Sequence, residues 1–435
     1  MAETAAYDIL ITGGTLVPMD AARRVIPDGA LGIRGNTLAF VGARNDLPPG
    51  ATAARTLDAR GKVIIPGLIN AHSHLAMTLL RGYSEDRPLE KWLETVWKIE
   101  LAHMDAAAVR AGTELAIVEM IRGGTTCAHD MYWHADAVGR AAIELGFRLA
   151  NGPVLANIIG HTLAELEAEA HAYFREFSAH PRVHGVVQTH SVYAAPPEML
   201  AKTRDLAREY DLVLVTHASE SRQELATVRE KFGKTPIEVL HELELLGPKT
   251  LLAHCIHLND DEIATLAATG TSVAHCPECN LKIGSGIARV VEMAAAGVNV
   301  AVATDGPASN NDLDMFSELR TAAILQKGVR HDPTVMPAAE VFAMGTRNAA
   351  RALGIDNLVG ALEVGKRADV VLLNFDKPHL TPVFDVYAHL IYSVNKADVE
   401  TVLIEGEIVL ENGAFTRLDE AAILARAREA VKVFG

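Results

Sequence analysis

The chain has 435 residues, 49 % of them hydrophobic and 22 % charged, with a net charge of −15. This is globular composition, and no apolar run reaches the roughly 18 residues that a membrane span requires. The acidic balance excludes nucleic-acid polymers as partners, because binding a polyanion needs a basic face that displaces counterions.

The segment Met1 to Tyr7 is small and acidic, unlike a signal peptide, so a soluble cytoplasmic protein is expected. Tyr7 to Val17, Gly29 to Gly42 and Arg55 to Val63 then read as short antiparallel strands with Gly or Pro turns. From Pro66 the pattern changes. Short runs rich in Val, Ile and Leu alternate with longer helical stretches, which is the sign of repeated βα units. The predicted strands are Val63 to Asn70, Thr125 to Asp130, Phe147 to Leu155, Val183 to His190, Leu212 to His217, Thr250 to His254, Thr271 to His275, and Val298 to Asp305. Between them lie helical patterns at Ala106 to Arg122, Ala135 to Leu145, Leu163 to Phe177, Glu198 to Tyr210, Asp260 to Ala268 and Ile287 to Ala295. Eight such units spell an α/β fold, a (β/α)8 TIM barrel. Ala368 to Phe375 and Val399 to Ala414 return to strand patterns, and Leu418 to Val433 closes the chain as a helix. We therefore expect a small β-sandwich formed by residues 1–65 and 360–435, and a barrel formed by 66–359.

Chemistry in such barrels sits at the C-terminal ends of the strands. Strand one ends in Asn70-Ala71-His72-Ser73-His74, and later strands deliver Asp130, His190, His217 with Glu220 three residues on, His254, His275 and Asp305. Residues two apart on a strand share a face, so His72 and His74 offer two converging imidazoles. Alone, this motif reads equally well as two polar loop histidines. With His217 across the barrel and Asp305 opposite, it assembles a mononuclear site with one open position, although His217 alone could be a core histidine and Asp305-Gly306 a turn. A metal there would lower the pKa of bound water from 15.7 to about 7. The donor set suits Zn2+, with Fe2+ or Mn2+ as alternatives. Glu220 is placed to move a proton, or else is a solvated glutamate at a helix start. His254 could polarise the attacked centre, and His190 could contact substrate or pack at its strand end beside Tyr193.

The four cysteines, Cys127, Cys255, Cys276 and Cys279, are too few and scattered for a disulfide framework. Cys276-Pro277-Glu278-Cys279 has CxxC spacing but neither a second pair for structural zinc nor a thioredoxin-sized unit around it, so no metal is expected there.

At these residues the chain resembles the amidohydrolase superfamily, within it the 5-methylthioadenosine/S-adenosylhomocysteine deaminases. The likeness is carried by Pro66-Gly67-Leu68-Ile69-Asn70-Ala71-His72-Ser73-His74, Leu80-Arg81-Gly82, Trp92-Leu93, Trp97 to Glu100, Gly123-Gly124-Thr125-Thr126, His217-Ala218-Ser219-Glu220, Ala253-His254-Cys255, Thr304 to Asn311 and Gly360 to Asp369. It implies one divalent metal held by His72, His74, His217 and Asp305. Glu220 would then protonate the purine ring nitrogen, while His254 and Asp305 orient and deprotonate the water that releases ammonia. Glu100 would bind the ribose hydroxyls, His190 the nucleoside, with Trp97 and Ser309 beside it. A homo-oligomer, dimer or tetramer, is implied as well. Some relatives hold two metals bridged by a carboxylated lysine, but no lysine lies between Lys98 and Lys202, which leaves a bridging Glu as the route to a pair. Triazine hydrolases resemble the same branch, so an aminated or chlorinated heterocycle is the alternative substrate; a non-catalytic scaffold is a further one. The chain also departs from the branch. The resemblance implies an arginine after strand three near the sugar or its tail, whereas Asn157 to Phe177 offers only Arg175, late in a helix, and the stretch before Trp97 is one residue shorter.

Overall fold

A computed structural model describes residues 6–434 except 157–159 and 178; parts of the N-terminal segment and of the Asn157 to Phe177 stretch thus lie outside the described residues. The strands in chain order are β1 (Ala6–Leu16), β2 (Ile26–Arg34), β3 (Thr37–Ala43), β4 (Thr52–Asp58), β5 (Lys62–Pro66), β6 (Leu68–Asn70), β7 (Thr125–Asp130), β8 (Arg148–Asn151), β9 (Val154–Leu155), β10 (Val183–Ser191), β11 (Val213–Ala218), β12 (Thr250–His254), β13 (Ser272–His275), β14 (Val300–Val302), β15 (Val370–Asn374), β16 (Val399–Ile404), β17 (Glu407–Glu411) and β18 (Ala414–Phe415). The helices that position the site are α1 (Leu89–His103), α2 (Ala106–Arg122), α3 (Ala135–Leu145), α4 (Leu163–Phe177), α5 (Pro197–Glu209), α6 (Arg222–Phe232), α7 (Pro236–Glu242), α8 (Asp260–Thr269) and α9 (Pro277–Lys282).

Strands β6, β7, β8, β10, β11, β12, β13 and β14 run side by side in that order, every pair parallel, with β9 attached to β10. The first and last meet where the Ala71 amide donates to the Val302 carbonyl and the Asp305 amide to the His72 carbonyl (3.1 Å). Asn70 locks the same seam, since its Nδ2 donates to Thr304 Oγ1 (2.7 Å) and its Oδ1 accepts the Thr304 amide (3.0 Å). This is the expected barrel, with helices between its strands.

Two predicted strands are each split. The apolar run Val63 to Asn70 serves two sheets: β5 pairs with β15 and β1, whereas β6 pairs with β7. Pro66 has no amide to continue a ladder, and a side chain on Gly67 would collide with Thr126 of β7. Phe147 to Leu155 breaks at Gly152-Pro153, where a Cβ on Gly152 would strike the Val186 carbonyl of β10.

The chain ends build one connected nine-stranded mixed sheet around its own core of Ile11, Leu31, Ile33, Ile64, Leu372 and Leu403. Its N-terminal strands are not all antiparallel as expected. β2 takes one edge of β1 in antiparallel sense, so the returning chain adds β4 and β5 to the other edge in parallel. A buried arginine ties this sheet to the barrel. Arg148 on β8 forks onto Asp369 (3.0 and 3.1 Å) and reaches Glu405 (3.3 Å), with all three side chains nearly without solvent contact. Removing one partner from such a network strands the opposite charge, so Arg148→Met is expected to cost about 3–5 kcal/mol in urea unfolding. An unchanged midpoint would show that the pair contributes nothing.

Candidate active site

The polar residues forecast for the strand ends converge on one point. His72 lies just past β6, and its Nε2 is 3.1 Å from Nε2 of His217 on β11. Asp305 follows β14, with its Oδ1 3.1 Å from His74 Nε2 and 3.6 Å from His72 Nε2. His72, His74 and His217 form one group that could hold a metal ion, and His72, His254 and Asp305 form another.

The far side of each ring explains why these nitrogens converge. His74 Nδ1 donates to the Met131 carbonyl (2.6 Å) and His217 Nδ1 to the His190 carbonyl (2.7 Å), which fixes the tautomer and turns both Nε2 lone pairs inward. Burial keeps His72 and His217 neutral, with pKa values well below the usual histidine range. Burial also pulls His74 down, but the Asp305 carboxylate and the Met131 carbonyl more than offset it and hold the ring at about 9. Burial opposes the charge of Asp305, yet the surrounding imidazoles hold its carboxyl well below the normal carboxylate range. Two neutral imidazoles, His72 and His217, beside an ionised carboxylate form a donor set that attracts a cation, which would take the place of the proton shared by His74 and Asp305. Asp305 Oδ1 is buried and, among the described residues, faces only the imidazole nitrogens of His74 (3.1 Å) and His72 (3.6 Å), so it is placed to share a metal with them. The donors therefore fit a divalent ion of the zinc type.

The backbone around the centre is strained. Ser219, His254, Cys255 and Asp305 all have φ between +47° and +71°, a region that non-glycine residues rarely adopt. Glu224 pins the first of these turns from α6, accepting the Ser219 amide (3.1 Å) and the Glu220 amide (2.7 Å) on its two oxygens. Burial pushes the Glu224 carboxyl up to about 7. Glu220 is thereby held with Oε1 3.8 Å from His254 Nε2. His254 in turn donates from Nδ1 to Asn280 Oδ1 (3.0 Å), which faces Nε2 toward the centre. Asn280→Ala is expected to lower turnover about tenfold by freeing that ring, as steady-state kinetics would reveal. Unchanged turnover would mean that Asn280 does not orient it.

Other forecast residues take distinct places. Trp97 and His190 meet edge to face (centroids 5.8 Å apart), and both line a cleft with His74, Met77 and Glu100. Glu100 is buried, accepts the Tyr132 hydroxyl (2.6 Å), and is pushed by burial up to about 7. Ser309, expected as a substrate contact, is buried. Its hydroxyl is buried on Asp305 Oδ2 (2.8 Å), where Cys279 of the CxxC segment also donates (2.7 Å). Asp130 accepts the Leu75 amide (2.7 Å) and shapes the turn after His74; His275 is buried outside the donor groups named above. Sequence reasoning missed Tyr132, Glu224, Asn280 and the two orienting carbonyls. Of these, only Glu224, four residues past Glu220 and so one helical turn away, carried a spacing signal.

A barrel with this seam, these strand ends and this donor set defines a class, and the chain belongs to the amidohydrolase family, whose pattern matches residues 63–409. Over 421 residues it is 42 % identical to the 5-methylthioadenosine/S-adenosylhomocysteine deaminase of Moorella thermoacetica, covering 96 % of this chain and 97 % of that one. An adenosine deaminase of Xanthomonas campestris, solved with bound zinc, superposes with a TM-score of 0.96 at 35 % identity, covering 99 % of each chain. An atrazine chlorohydrolase of Arthrobacter aurescens TC1, also with zinc, gives 0.89 at 25 % identity over 97 % of this chain and 100 % of that one. Among the described residues no helix is long and apolar enough to cross a membrane.

Proposed function

We propose that the chain hydrolyses the 6-amino group of an adenine nucleoside, such as 5-methylthioadenosine, S-adenosylhomocysteine or adenosine, to give the inosine analogue and ammonia. The observation that carries this reading is the meeting of His72, His74, His217 and Asp305 at one point, with Glu220 and His254 paired beside it at 3.8 Å. His72, His74, His217 and Asp305 would hold one divalent ion, zinc in this reading, the metal bound in the Xanthomonas relative. When bound, such an ion lowers the pKa of water from 15.7 to about 7 and supplies the nucleophile at neutral pH.

The protein's own groups move the protons. Glu220 accepts one proton from the attacking water and delivers it to ring nitrogen N1, which makes C6 electrophilic. His254 and Asp305 orient the water and hold its second proton. The new C6–O bond forms on one face, the C6–N bond breaks, and the amine departs with that second proton as ammonia. Glu100, backed by Tyr132, accepts hydrogen bonds from the ribose hydroxyls, while Trp97 and His190 flank the base. Ser309 belongs with Cys279 behind Asp305 in this reading, orienting the carboxylate rather than touching substrate.

The second reading is a triazine or related heterocycle, because ring-nitrogen protonation by Glu220 also assists loss of an amine or chloride from such a ring. The higher identity and TM-score of the nucleoside deaminases favour the first. Ammonia and chloride release assayed over a mixed panel separates them. The nucleoside reading expects ammonia from 5-methylthioadenosine and no chloride from atrazine, and the reverse result would replace it.

A further inference from the structure

A closed ring of polar contacts joins the segment before α1 to the loop that carries Asp305. Lys282 ends α9 and donates to Glu85 Oε2 (2.7 Å), to Asn311 Oδ1 and to the Ala308 carbonyl (3.4 Å), which uses all three of its N–H bonds. Asn311 Nδ2 donates to the other oxygen of Glu85 (2.9 Å), and the Asn311 carbonyl accepts from Arg81 Nη1 (2.6 Å). Burial raises the Glu85 carboxyl, but Lys282 and Asn311 more than offset it, so the group is held below the usual carboxylate range and is ionised at neutral pH. Asn311 has φ +90°, a conformation rare outside glycine, which these contacts hold in place.

The loop side of this ring is firmly built. The Ser309 and Asn310 amides donate to the Gly306 carbonyl, the Asn311 amide to the Pro307 carbonyl, and Asn310 Nδ2 to the Thr304 carbonyl (2.6 Å). The helix side is not. Among the described residues no strand or helix packs lengthwise against α1. One buried stripe, Leu89, Trp92, Val96 and Glu100, anchors it, and the chain enters it through a mostly exposed segment, residues 81–88, in which Gly82 and Asp86 have positive φ. Resting on the nucleoside reading above, this loosely packed helix supplies Trp97 beside the base and Glu100 at the ribose. We infer that Glu85 is a positioning residue for the nucleoside: through Lys282 and Asn311 it sets α1, with Trp97 and Glu100, at a fixed spacing from the Asp305 loop. The substrate must reach the Asp305 centre with its base and Glu100 with its ribose at once, so that spacing governs how tightly it binds. Glu85 is not among the residues that line the cleft, and it acts through the two that α1 carries.

Steady-state kinetics of the metal-loaded enzyme on 5-methylthioadenosine, with metal content measured alongside, tests this. Glu85→Ala is expected to raise KM about tenfold, to change kcat by less than about threefold and to leave metal content unaltered. Lys282→Glu should raise KM likewise, and the exchanged pair Glu85→Lys with Lys282→Glu should return it to within about threefold of wild type, a rescue that a merely structural role would not give. Chymotrypsin cleavage after exposed Tyr83 supplies a readout that needs no substrate: it is expected to be about tenfold faster in Glu85→Ala and to slow again in the exchanged pair. A KM in Glu85→Ala within about twofold of wild type, a fall in kcat or metal content in place of the rise in KM, or an exchanged pair no better than its single variants would each overturn the inference while leaving the deaminase reading intact. Failure to turn over any adenine nucleoside would instead defeat the reading on which it rests. The cleavage rate at Tyr83 still reports whether Glu85 holds α1, and an unchanged rate overturns that.

Discussion

His217→Ala is expected to leave the purified chain without bound metal and to lower turnover by roughly 10³ or more. The reason is geometric. His72 and His74 follow β6 and Asp305 follows β14, and these strands are neighbours at the barrel seam. His217 on β11 is the donor of the proposed set that arrives from across the barrel, at 3.1 Å from His72 Nε2. Without it the remaining donors approach from one side and cannot enclose an ion tetrahedrally. Elemental analysis beside a turnover assay checks this, and full metal content in the variant would remove His217 from the ligand set.

Glu220→Gln should behave differently, keeping its metal while turnover falls by about 10² to 10⁴. The substitution preserves shape, and the Glu220 amide stays anchored on Glu224 at 2.7 Å, so the side chain remains beside His254. What it loses is the ability to accept a proton and pass it on. Unaltered metal content with loss of kcat supports the shuttle. A variant that turns over at the wild-type rate would assign that task to another group.

The parts of this architecture that were legible in the sequence are those in which local pattern and tertiary environment agree. Ala106–Arg122 and Ala135–Leu145 fall where periodicity places them, because Asp105 caps the first through the amides of Ala107 and Ala108 and left-handed Gly146 ends the second. Thr125–Asp130 and Thr250–His254 also coincide with their apolar runs, since a barrel strand covered on both faces reads as continuous hydrophobicity. The same property hid the boundary inside Val63 to Asn70: both halves are buried strands, and only Pro66-Gly67 marks the switch between sheets. The parallel partnership of β1 with β4 and β5 was not readable, because alternation reports burial and not strand direction.

The candidate site divides in the same way. Imidazoles and carboxylates at strand ends are distinctive as residue types, so His72, His74, His217, Glu220, His254 and Asp305 could be nominated in advance. Their orienting partners could not. Met131 and His190 act through carbonyls that every residue possesses, and Asn280 and Tyr132 are common polar residues 26 and 32 positions from the groups they hold. Ser309 lies in the expected neighbourhood, where the turn Asp305 to Asn310 folds its hydroxyl back onto Asp305.

The most direct test follows the adenine absorbance of 5-methylthioadenosine, S-adenosylhomocysteine and adenosine after addition of purified, metal-replete enzyme, with ammonia quantified in parallel. The proposed function predicts a shift to the hypoxanthine spectrum for at least one of them, with one ammonia released per nucleoside converted. Unchanged absorbance for all three would contradict it.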